Sequence, residues 1–308
     1  MIEYKHILAV IDLEREDHPA LQRALELSEK TGATVTALLV VYDLSYDMTT
    51  MLSPEEREAM RDAVTADHAK WFSDSLKNLN IANVDIVVEW CNRSYESIIH
   101  YTIDNNIDLV VKATKKHDDL VSVIFTPTDW HLLRKSPCPV LLVKDHDWPE
   151  DGEIIAAINV GTEDEEHAQL NEKITVIAGD YARLLSGNVN LVNSFPSTPL
   201  NIAIEVPEFD PEQYYDAVKN HHQEEMIKHA TKYGIHESRC FVKEGVPEKV
   251  IPQLAKEKDA ELVIIGTVGR TGFSAALIGN TAEHVIDKLQ CDVLAVKPEG
   301  FVSPLAKG

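Results

Sequence analysis

Apolar positions fall into short continuous runs separated by longer stretches of helical periodicity, and this alternation repeats along the chain. Runs of four to eight apolar residues between turn signals suit strands buried on both faces. Ile7–Asp12, Val35–Tyr42, Val84–Trp90, Asp108–Lys112 and Val140–Lys144 are such runs. Between them lie helical stretches. One places Pro19 in its first turn, Leu21, Ala24 and Leu25 on one face, and Gly32 at its end, with Asp17 as the expected N-cap. A second, after a long excursion, carries Met60, Val64, Trp71, Phe72 and Leu79; shorter helices are expected over 95–105 and 128–135. A connecting segment is expected between the fourth strand and the last of these helices.

The same order recurs. DLVVKATKKHDDLVSVIFTPTDWHLLRKSPCPVLLVK (108–144) superposes without a gap on ELVIIGTVGRTGFSAALIGNTAEHVIDKLQCDVLAVK (261–297). Thr128 falls on Thr281, His131 on His284, Cys138 on Cys291 and Lys144 on Lys297; the openings HILAVID (6–12) and EIIAAIN (153–159) also correspond. The chain is therefore a tandem duplication, with domains expected over 1–147 and 153–308 and a polar join at DHDWPEDGE (145–153). Strands of the second copy are expected near 153–159, 189–194, 239–243, 261–265 and 293–297. Strands alternating with helices predict two α/β domains, each a doubly wound sheet of five parallel strands. Ligands of such sheets sit beyond the carboxyl ends of the strands, where the strand order reverses.

Composition narrows the function classes. The 308 residues are 44% hydrophobic and 26% charged, a globular balance. No apolar run is long enough for a membrane span, and MIEYKHILAVID reads as a first strand rather than a secretory leader, so a cytoplasmic location is expected. A formal net charge of −22 disfavours nonspecific nucleic acid and anionic membrane surfaces. Cys91, Cys138, Cys240 and Cys291 have no metal or redox spacing.

Gly266, Gly269 and Gly279 form a G-x-x-G-x9-G pattern between a strand and the helix opened by Asn280 and Thr281. Glycines let backbone amides approach an anion, and a helix start favours negative charge. Asn280 suits an N-cap, with Glu283 completing a capping box. The plainer reading is that these glycines serve turns and packing alone. In the first copy Ala113, Lys116, Thr126 and Pro127 stand in this region, and proline has no N–H to offer. Lys112, Lys115, Lys116 and His117 form a basic cluster: an anion site, or more simply a solvated loop balanced by Asp118 and Asp119. His222 and His229 share a helical face without an evident third ligand, which favours half-buried histidines over zinc. LNIAIEV (200–206) either lines a cavity for an apolar ligand or covers the sheet edge.

GTVGRTG and GNTAEHVID, with YDLSYDMTTMLSPEER, FTPTDWHLLRKSPCPV and NIAIEVPEFDP, resemble the universal stress protein family in its tandem form. That resemblance implies Rossmann-like, adenine nucleotide alpha hydrolase-like domains that pack as a pseudo-symmetric pair. It also implies an adenine nucleotide such as ATP in the second copy, held near Asn159, Ser194, Gly266, Gly269, Gly279, Asn280 and Thr281. Asn159 stands where the family places an aspartate and Asn280 where it places serine or threonine. In the first copy the aspartate is kept as Asp12, while the glycines are lost; Asp12, Lys112 and Lys116 are its candidates. The expectation is a stress-response binding protein with no catalytic residues and no metal. A protein-interaction scaffold, a carrier of a hydrophobic ligand and a slow ATPase remain as alternatives, and a homodimer or a protein partner is open.

Overall fold

The structure is a computed structural model and describes residues 2–47, 52–117, 120–162, 164–198, 210–267 and 280–306. The chain divides into two compact units, Glu3–Asp145 with the chain end from Val302, and His146–Phe301.

In the first unit, strands β1 (His6–Val10), β2 (Thr34–Val41), β3 (Val84–Trp90), β4 (Leu109–Ala113) and, after a hairpin of β5 (Lys115–His117) and β6 (Leu120–Ile124), β7 (Val140–Val143) follow in sequence. The five long strands are parallel in the order β3-β2-β1-β4-β7. The central strands are apolar along their length because helices cover both faces: Ile7, Leu8, Ala9, Leu109, Val110 and Val111 have no exposed surface. Helix Pro19–Thr31 buries Ala20, Leu21, Ala24 and Leu27 on one stripe. Gly32 ends it at φ 76°, where a side chain would be strained, and donates its N–H to Ser28 O. The longer helix Pro54–Asn78 starts with a capping box of Ser53 and Glu56.

The second unit repeats the plan with β8 (Glu153–Ala157), β9 (Asn188–Phe195), β10 (Cys240–Glu244), β11 (Ala260–Gly266) and β12 (Asp292–Val296). Its parallel order is β10-β9-β8-β11-β12. Its helices are Glu165–Leu185, Pro211–Lys232, Pro247–Lys258 and Asn280–Lys288. In each unit the order reverses beside the first strand, between β1 and β4 and between β8 and β11, which is where sheets of this kind bind ligands.

One local expectation is corrected. Helix Pro19–Thr31 puts His18, not Asp17, at its cap position; His18 has φ 45° and no side-chain cap bond. Asp17 lies one residue too early, and its carboxylate takes the guanidinium of Arg15, with Nε–Oδ1 at 2.8 Å. Helix Asn280–Lys288 is described from Asn280 onward, and the residues before it, Gly279 included, lie outside the described residues. The connecting segment of the first copy is an antiparallel hairpin, with Lys115 opposite Ile124 and Lys116 opposite Val123; its second strand, LVSVI, is rich in β-branched residues that favour pairing.

Candidate ligand crevices

The first unit has an open cavity of about 300 Å³ beyond the carboxyl ends of β1, β2 and β4, lined by Asp12, Val40, Ser94, Ile98, Lys112 and Thr128, among others. Two of the sequence candidates of this copy, Asp12 and Lys112, meet here. Asp12 follows β1 and lines the cavity, and its Oδ1 accepts the N–H of Glu14 at 3.0 Å, which holds the turn. Lys112 ends on an ion pair: its Nζ is 2.7 Å from Asp129 Oδ1, with Lys112 13% and Asp129 0% exposed. Nζ also donates to Ala113 O at 3.1 Å. The other oxygen of Asp129, Oδ2, accepts from Thr126 N at 2.6 Å and from Thr126 Oγ1 at 2.9 Å. These bonds are half of a capping box on helix Pro127–Lys135, where Pro127 occupies the N-terminal turn. Lys116 lies in the hairpin strand β5.

The second crevice is built differently. Asn159, exposed just beyond β8, is held through its main chain: its N–H donates to Asn171 Oδ1 at 3.0 Å and its carbonyl accepts from Asn171 Nδ2 at 2.8 Å. Its own Oδ1 accepts from Gly161 N at 3.3 Å. Next to it runs a chain of donors. Val160 N–H donates to Asn193 Oδ1 at 3.1 Å, so the amide nitrogen of Asn193 is left to face His222 Nδ1 at 2.8 Å. That nitrogen must therefore accept, which assigns His222 the neutral, Nε2-protonated form. His222 is 8% exposed, and burial first, then the nearby His221, pushes it below the usual imidazole range. Its ring lies against Gly161 so closely that a Cβ there would stand 2.1 Å from Cε1, and Phe195 flanks it with ring centroids 5.6 Å apart.

Gly266 ends β11. A Cβ on it would lie 2.4 Å from Leu170 Cδ2 and 3.3 Å from Ile174 Cδ1, so here glycine lets helix Glu165–Leu185 close onto the sheet. Ser194 is half-buried in β9, opposite Lys243 of β10. Thr281 is exposed in the first turn of its helix. Gly269, Gly279 and the segment LNIAIEV lie outside the described residues. His222 and His229 go to separate partners, His229 Nε2 to Thr175 Oγ1 at 2.8 Å, and no cluster of three or more His, Cys, Asp or Glu able to hold a metal occurs among the described residues.

The two copies can be matched through their long helices. Phe72 and Leu76 are buried in Pro54–Asn78, as are Met226 and Ala230 in Pro211–Lys232. Four residues before each pair stand His68 and His222. His222 is sealed onto Gly161, whereas His68 keeps its Nδ1 on Val64 O at 2.9 Å and borders a recess of about 300 Å³ with Leu13, Asp67 and Trp71. Neither this equivalence nor the Lys112–Asp129 pair was found by sequence reasoning. The Thr126-x-x-Asp129 spacing was the available signal for the second.

The sequence model of the universal stress protein family matches residues 3–144 and 157–297, and the chain belongs to that family, in its tandem form. Among individual relatives, it is 47% identical over 308 residues to Universal stress protein E of Escherichia coli K12, covering 99% of this chain and 98% of the relative. It is 45% identical over 305 residues to the Universal stress protein E homolog of Haemophilus influenzae, covering 96% and 98%. A crystal structure of a functionally unknown protein from Pseudomonas aeruginosa PAO1 superposes with a TM-score of 0.72 at 29% identity, covering 98% of this chain and 95% of that one. A universal stress protein from Archaeoglobus fulgidus shares the fold, with a TM-score of 0.58 at 14% identity, covering 95% and 96%. No helix among the described residues is long and apolar enough to cross a membrane.

Proposed function

We propose that this chain is a stress-response binding module that retains a small ligand without turning it over, with the ligand in the crevice of the first domain. The observation that carries this is the open cavity beyond β1, β2 and β4, set against the corresponding region of the second domain, where His222 packs onto Gly161. Retention rather than turnover is supported by the Lys112–Asp129 pair, which engages the lysine that would otherwise stabilise a leaving group. The same reading takes the domains as 1–147 and 153–308 and the chain as cytoplasmic.

A second reading puts an adenine nucleotide on Gly266, Gly269, Gly279, Asn280 and Thr281 of the second domain. It is favoured by helix Asn280–Lys288, which follows the last glycine in sequence and whose N-terminal end suits an anion. Mass spectrometry of small molecules released from freshly purified wild type, Asp12→Ala and Gly279→Val separates the two. A molecule retained near stoichiometry and lost in Asp12→Ala supports the first reading. Loss only in Gly279→Val, with ATP or ADP as the molecule, supports the second. A chain that retains nothing in any form overturns both and leaves the scaffold role.

A further inference from the structure

We infer that Asp129 is the chain's own substitute for a ligand phosphate, and that the first crevice consequently selects an uncharged, hydroxyl-bearing molecule with one apolar face over its phosphorylated form. This rests on the first-domain reading.

The start of a helix facing a crevice is where an anion is stabilised, by free amides and by the dipole. In the first domain that place is the start of Pro127–Lys135, and a carboxylate of the chain already fills it. Asp129 is wholly buried. It collects what an anionic ligand would otherwise use: the Thr126 amide at 2.6 Å, the Thr126 hydroxyl at 2.9 Å and the Lys112 ammonium at 2.7 Å. An incoming phosphate meets a cation already neutralised, a proline with no N–H near the turn, and the carboxylate of Asp12 in the lining. Among the described residues, what else lines the cavity offers a phosphate no further cation: Ser94 and Thr128 carry hydroxyls, the carboxylates of Asp12 and Glu14 are acceptors that suit hydroxyl donors and repel an anion, and Val10, Val40 and Ile98 are apolar. Such a lining suits a flat apolar ring carrying hydroxyls, which is the chemistry of a nucleoside, and a volume of about 300 Å³ admits a molecule of that size.

The duplication supplies an internal control. At the positions of Lys112 and Asp129 the second copy has Ile265 and Ala282, and both are buried. The charge pair is thus a feature of one crevice only. The second copy, which keeps the glycine pattern, carries no internal carboxylate at this position.

The test is equilibrium dialysis with labelled adenosine and labelled AMP against the full chain, in wild type, Asp12→Ala, Asp129→Asn and the double variant Lys112→Ile/Asp129→Ala. Asp129→Asn keeps the shape and the oxygen that Thr126 needs but removes the charge, and the double variant reproduces the arrangement of the second copy. In wild type, adenosine should bind at least tenfold more tightly than AMP. Asp129→Asn should tighten AMP at least tenfold with adenosine little changed, because Lys112 is freed. The double variant, lacking the cation, should show no such gain. Equal affinities in wild type, no adenosine binding in wild type, or an AMP affinity unmoved by Asp129→Asn would each overturn the inference. Adenosine binding that survives Asp12→Ala would instead overturn the first-domain reading beneath it. Thermal melts of each variant identify any that fails to fold, and the tenfold preference of wild type for adenosine over AMP then carries the test.

Discussion

Substituting Gly266 by alanine separates a packing joint from a phosphate cradle. The new Cβ would stand 2.4 Å from Leu170 Cδ2, 3.0 Å from Leu170 Cγ and 3.3 Å from Ile174 Cδ1. Carbon atoms rest comfortably at about 3.5–4.0 Å, so Leu170 must withdraw by roughly 1 Å. It has little room, being 5% exposed, with Ile174 at 2%. Overpacking of this kind costs about 1–3 kcal/mol. Alanine also restricts the unfolded chain more than glycine does, which returns about 0.4–1 kcal/mol. The net expectation is a loss of about 1–2 kcal/mol, seen as a lower urea midpoint by circular dichroism and faster amide exchange in β11. Leu170→Ala alone should cost about 2–5 kcal/mol through its cavity. In the double variant the added methyl fills part of that space, so the two effects should couple by about 0.5–3 kcal/mol. A Gly266→Ala chain as stable as wild type, or strict additivity with Leu170→Ala, would refute the packing argument.

Three further outcomes are expected. Lys112→Ala leaves the buried Asp129 carboxylate uncompensated and should cost about 3–5 kcal/mol in urea unfolding, whereas Lys112→Ile/Asp129→Ala should lie within about 1–2 kcal/mol of wild type. Gly161→Ala should expel the His222 ring from its seat, which proton NMR of the imidazole would register as a change in shift and a rise in its titration midpoint toward 6.5, the ordinary value. Burial holds His18, His131, His222 and His229 below that ordinary value. The unfolded chain therefore binds more protons than the folded one as pH falls from about 6.5 to the folded midpoints, so the thermal midpoint should drop over that window and be highest above it. A thermal midpoint that rises on acidification from pH 7 to 5 would contradict this.

Much of the architecture was legible because the duplication presents each element twice. Apolar runs such as HILAV and EIIAA could be placed as central parallel strands, and Gly32 marked its helix end. Cap positions were less legible: Asp17 sits one residue from the cap position of its helix, and only the backbone path decides between neighbours. The site divided similarly. Asp12 and Lys112 could be singled out from residue type and position after a strand. The partner of Lys112 could not, since Thr126-x-x-Asp129 reads as an ordinary capping box until the fold brings β4 beside that helix. The role of Gly266 was ambiguous for the same reason, because a missing Cβ serves a ligand or a neighbouring helix equally well, and only Leu170 and Ile174 decide. His222 was read as a half-buried histidine; that it seals Gly161 through Asn193 depends on a contact between β9 and a helix with no periodic signal.

The central claim, that the ligand site is the first crevice and not the glycine pattern, is most directly tested by a crystal structure of the protein as purified, with its retained molecule in place. Density is expected beyond β1, β2 and β4, beside Asp12, Val40 and Ile98, with the Lys112–Asp129 pair intact. Density confined to the region of Gly266 and Asn280, with the first crevice holding only water, would contradict it.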